Sequence, residues 1–85
     1  MKEFYLVPVD GRKSFYGKAV AIEKSNGEIE LKSYNTIVAK IVNGKFKRLW
    51  SGYSQTTMRH INAFIRAYGI SGGGKTWWDS LEVCN

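Results

Sequence analysis

The chain of 85 residues carries thirteen Lys and Arg against seven Asp and Glu, a formal net charge of +6, with 44% hydrophobic and 14% aromatic residues. That length leaves room for one small domain with a single core, and the aromatic content excludes a disordered chain. A lone cysteine, Cys84, excludes an internal disulfide and points to a reducing, cytoplasmic setting.

Phe4 to Val9 (FYLVPV) reads as a strand, with Pro8 placing its end at a sheet edge because proline cannot donate a ladder hydrogen bond. The same apolar run is too short for a signal peptide or a membrane span, so no membrane partner is expected. Asp10-Gly11 marks a turn. Ser14 to Lys24 is rich in aromatic and β-branched residues and reads as a long, bent strand, with Gly17 as a bulge or close backbone approach. Asn26-Gly27 is the dipeptide of a type I′ hairpin. Beyond it, Glu28 to Lys32 alternates charged and apolar side chains and places Ile29 and Leu31 inward.

Thr36 to Val42 forms a fourth strand, and Asn43-Gly44 repeats the hairpin signal before a fifth, Lys45 to Trp50. Alternation in that last strand puts Lys45 and Lys47 on one face and Phe46 and Arg48 on the other. Short connections favour an antiparallel meander, since parallel pairing needs a crossover. From Ser54 the period changes. Met58, Ile61, Phe64, Ile65 and Tyr68 share one face of a helix over 55–68, with Arg59, Asn62 and Arg66 on the wet face. Ser54 is the N-cap, with Thr56 as a second candidate, and Gly69 closes the C-terminus. A glycine-rich linker over 69–75 then leads to a short helix over 77–82, capped by Thr76. The expected fold class is α+β: a curved antiparallel meander of about five strands against one main helix, with a short C-terminal helix.

Gly69 to Thr76 (GISGGGKT) fits the phosphate-loop pattern G-x-x-x-x-G-K-[ST]. That motif works only between a buried strand and a long helix, and here a helix precedes it and ten residues follow Lys75. No nucleotide cofactor is expected, and no other cofactor. His60 is the only histidine and Cys84 is distant from it, so no metal site can be assembled. His60 reads as a histidine held by a hydrogen bond at the core margin. Ser54 lacks the second glycine of a nucleophile elbow, and Glu23, Glu28 and Glu30 cluster on a solvated hairpin. No nucleophile, base and orienter come together, so no catalytic residues are assigned and the chain is read as a non-enzyme.

Between Glu30 and Asp79 the chain has no acidic residue but eight Lys and Arg. This is the electrostatic footprint of a protein that binds a polyanion or an acidic partner. Lys45, Lys47, Arg48, Arg59 and Arg66 are the candidate contacts to nucleic-acid phosphates or to a partner. Tyr34, Trp77 and Trp78 are the candidate aromatic contacts, because adjacent tryptophans on a short helix cannot both face inward. Trp50 is assigned to the core.

The stretches KSYNTIVAKIVNGK and RLWSGYSQTTMRHINAF, spanning about Lys32 to Phe64, resemble a group of small uncharacterised proteins carried by phages and mobile elements of Gram-positive bacteria. The resemblance implies a sheet-then-helix domain of mobile-DNA origin and carries no residue roles. Its genomic company implies binding, either to nucleic acid or a nucleic-acid-bound host complex, or to a host defence protein in the manner of an anti-CRISPR inhibitor.

Overall fold

Turn chemistry sets the sheet. Asn43 and Gly44 both take positive φ, 52° and 76°, the type I′ geometry that matches the twist of the flanking strands. At the first Asn-Gly only Gly27 does so. Gly27 N–H donates to Lys24 C=O at 3.0 Å, and the Asn26 side chain accepts from Glu28 N–H. This hairpin is therefore a longer loop closed by a left-handed glycine, not the type I′ turn that its dipeptide predicts.

The computed structural model describes residues 1–11 and 14–84. Five strands, β1 (Lys2–Tyr5), β2 (Ala19–Glu23), β3 (Ile29–Ser33), β4 (Thr36–Val42) and β5 (Lys45–Arg48), form one antiparallel sheet in the order β1-β2-β3-β4-β5. The expected α+β meander is what the chain adopts. The fifth strand stops at Arg48 rather than Trp50, and the first two strands depart furthest from expectation. The first strand ends at Tyr5, with one further ladder bond from Leu6 N–H to Ala19 C=O, and Val7 to Val9 leave the sheet. The long second strand is interrupted because Tyr16 and Gly17 both take positive φ and Lys18 N–H closes back on Phe15 C=O at 2.9 Å. Gly17 thus belongs to a reversal. The register irregularity lies instead between β3 and β4, at Leu31/Lys32.

Ser54 caps helix α1 (Gln55–Ala67), its hydroxyl accepting from Thr57 N–H at 3.0 Å. At the other end Ile70 N–H returns to Ile65 C=O and Gly69 N–H to Arg66 C=O, a Schellman closure around a left-handed glycine. The helix lays Met58, Ile61, Phe64 and Ile65 on Ala21, Leu31, Ala39 and Ile41 of the sheet. Tyr68 ties its end to β2 by donating to Glu23 at 3.0 Å. Asn62, expected in water, is half-buried, because the backbone at Gly73 folds back against it.

Gly72 and Gly73 are packing residues, not parts of a flexible linker. A side chain at Gly72 would collide with the Trp77 ring. They lead into helix α2 (Lys75–Asp79), which starts at Gly74 with no side-chain cap. Thr76 therefore lies inside the helix rather than capping it. No helix of the described residues is long and apolar enough to cross a membrane.

Candidate functional site

Alternation sends Arg48 to the helix side of the sheet, and there it is 7% exposed. Its Nε donates to Trp50 C=O at 2.9 Å, Nη1 to Trp78 C=O at 2.8 Å and Nη2 to Ser51 C=O at 2.9 Å, and the guanidinium lies 4.4 Å from the Trp78 ring centre. All three nitrogens are engaged inside the protein, so the assignment of Arg48 as a phosphate contact is corrected: it clamps residues 50–52 to α2. Trp78 is corrected likewise, being fully buried with Nε1 donating to Gly52 C=O at 2.8 Å. Trp77 is half-buried, 5.1 Å from Phe46 and packed over Gly72. Both tryptophans close the end of the core. Trp50 joins it as expected.

The remaining candidates fall into separate places. Lys45 and Lys47 stand on the sheet face that α1 does not cover. Lys47 is directly opposite Lys40, and Lys40 opposite Glu30. Lys32 lies on the same face, between Val20 and Ile37. Lys40 pairs with Glu28 and Lys24 with Glu30, but none of the ion pairs among the described residues includes Lys32, Lys45 or Lys47. Arg66 is exposed on α1, across the molecule from these lysines.

Arg59 and Tyr34 are brought together at one end of the sheet. A cleft of about 400 Å³ is lined by Ser14, Phe15, Tyr16, Lys18, Tyr34, Thr56, Arg59 and His60. A second hollow of about 190 Å³, lined by Lys18, Val20, Lys32, Tyr34 and Asn35 together with Gly17, adjoins it through Lys18 and Tyr34 and opens onto the lysine-bearing face. Arg59 is fixed by two bonds to Asp10, from Nε at 2.7 Å and from Nη2 at 3.3 Å, and lies 5.2 Å from the Phe15 ring centre. The Asp10 hydrogen bond raises its pKa further.

The cleft floor is a buried polar cluster. Ser33 Oγ lies 2.7 Å from His60 Nδ1 and 3.2 Å from Thr57 Oγ1. Phe15 meets His60 edge-on at 4.5 Å and Tyr34 leans on it at 5.5 Å. Burial, helped by the Arg59 charge, pushes the His60 pKa down to about 4, so the ring is neutral at physiological pH.

Two wall residues are unusual. Tyr16 and Tyr34 take φ of 52° and 56°, a region that costs a bulky residue about 1–3 kcal/mol. The two residues nonetheless remain 73% and 49% exposed. Sequence reasoning missed Tyr16 and Lys18. The available signal was Tyr16-Gly17, which can be read as a reversal as well as a bulge.

An open five-stranded meander with one helix across it, a lysine-bearing free face and an aromatic cleft at its end make up one small α+β domain. The chain belongs to a family of unknown function, DUF8033, whose model matches residues 5–80. No curated protein and no solved structure matches it.

Proposed function

We propose that this chain is a non-enzymatic, basic module that engages nucleic acid in the cytoplasm through the free face of its sheet. The observation that carries the reading is the Lys40–Lys47 pair, directly opposed across β4 and β5, with Lys45 and Lys32 on the same uncovered face. Like charges placed opposite one another destabilise a sheet; Glu28 offsets Lys40 but no ion pair of the described residues includes Lys47, and a phosphate backbone lying over the face would offset the remaining cost. The lone thiol of Cys84 accords with a reducing compartment. An origin in mobile DNA, implied by the resemblance over Lys32 to Phe64, is part of the same proposal.

The Ser33–His60 contact does not favour a hydrolase. Ser33 is 2% and His60 1% exposed, and the hydroxyl is already shared with Thr57. A nucleophile must reach its substrate and have its base oriented by a third group. The contact serves instead to hold β3 against α1.

Fluorescence anisotropy of a labelled oligonucleotide, titrated with the protein at several salt concentrations, tests the proposal. The logarithm of affinity should fall linearly with the logarithm of salt, as counterion release requires. Absence of binding at low salt, with a stoichiometric complex formed on one host protein, would replace the nucleic-acid reading with that of a protein-directed inhibitor.

A further inference from the structure

Resting on the nucleic-acid reading, we propose that the cleft between Tyr16 and Tyr34 seats one unpaired base of a single strand, with the neighbouring phosphates on Lys18 and Lys32. Both tyrosines line the same cleft and are exposed, held there by tight turns that give each a positive φ tyrosine seldom takes. Gly, Asn or Asp ordinarily fills a turn position that needs positive φ, so two exposed rings at such positions on one cleft point to what the rings can meet rather than to the turns.

The cleft has the makings of a built site. Its volume of about 400 Å³ lies in the range of roughly 300–1,000 Å³ typical of small-ligand pockets. His60 forms its floor, with Nδ1 held by Ser33 and no described residue on Nε2. At 1% exposed, the ring gives the cleft a packed floor rather than a contact to the polar edge of a base. Lys18 borders both hollows and Lys32 the outer one, so a strand entering the cleft leads onto the lysine-bearing face of the sheet.

The occupant follows from this chemistry. Bases in a duplex are stacked inside and offer no face to a ring in a cleft, whereas an unpaired base stacks on aromatic side chains while cations hold its phosphates. The carboxylates of an acidic peptide would use the lysines but gain nothing from the two tyrosine rings.

The test compares a labelled oligo(dT) with a duplex of equal length, using the full chain at low salt. Tyr16→Asn and Tyr34→Asn remove each ring while keeping a residue that tolerates positive φ, and Tyr16→Phe keeps the ring. Circular dichroism checks the fold of each. The wild-type protein should prefer the single strand. Each Asn variant should lose about 5- to 150-fold on it, the range of one stacking contact, with no change on duplex, and Tyr16→Phe should bind like wild type. Equal affinity for both forms, or Asn variants that bind as wild type does, would overturn the cleft as a base site while leaving the nucleic-acid reading in place. No binding of either form would remove both, and binding of poly-glutamate alone would assign the cleft to a peptide.

Discussion

Replacing Arg48 with Ala separates a clamp from a surface contact. The substitution strips the hydrogen bonds from the carbonyls of Trp50, Trp78 and Ser51, each held at 2.8–2.9 Å, and removes the cation from the Trp78 ring. Hydrogen bonds to charged groups contribute about 1.5–3 kcal/mol each. Three of them sum to at least about 4.5 kcal/mol, before the lost packing of the side-chain stem. The whole domain, at about 0.05–0.15 kcal/mol per residue, has about 4–13 kcal/mol to lose. Arg48→Ala should therefore be largely unfolded or melt far below wild type. Arg48→Lys keeps the charge without the fork and should fall between the two. Urea denaturation followed by circular dichroism gives both values. An Arg48→Ala variant within about 0.5 kcal/mol of wild type, the usual range for a surface substitution, would refute the clamp.

Two further stability outcomes follow from the same structure. Burial depresses the pKa of His60 to about 4, against about 6.5 unfolded, so the unfolded chain binds more protons between those values and stability rises with pH there. The contribution, up to about 3 kcal/mol, should be complete above about pH 6.5 and gone below about pH 4. In His60→Gln that part of the pH dependence should vanish, and a profile identical to wild type would count against a buried neutral ring. Ser54→Ala removes the hydroxyl that accepts from Thr57 N–H and should cost about 1 kcal/mol; an unchanged melting temperature would reject the cap.

Where local chemistry decides the structure, the sequence was readable. The type I′ turn at Asn43-Gly44, the Ser54 cap and the left-handed Gly69 each depend on a few adjacent residues, and each stands where those residues place it. Asn26-Gly27 shows the limit of such signals. The same dipeptide serves a longer loop once the Asn side chain takes the Glu28 N–H. Arg48 marks the larger gap. Alternation put it on the inner face, but the carbonyls that satisfy it come from residues 50–52 and from Trp78 and Leu81, and nothing local announces that convergence. The cleft was half legible for the same reason. Arg59 and Tyr34 were singled out separately, and only the Tyr16-Gly17 reversal and the β3–β4 turn bring them to one wall.

The central claim is that phosphates meet the free sheet face, and the salt dependence of the Lys45→Gln, Lys47→Gln double variant tests it most directly. Neither side chain takes part in an ion pair of the described residues, so the fold should be unchanged, and loss of the charge opposite Lys40 should if anything stabilise the sheet. On a labelled oligonucleotide the variant should bind more weakly whatever the sequence, with the slope of log affinity against log salt flatter by about two. An unchanged affinity and an unchanged slope would contradict the account, leaving these lysines as solvated surface.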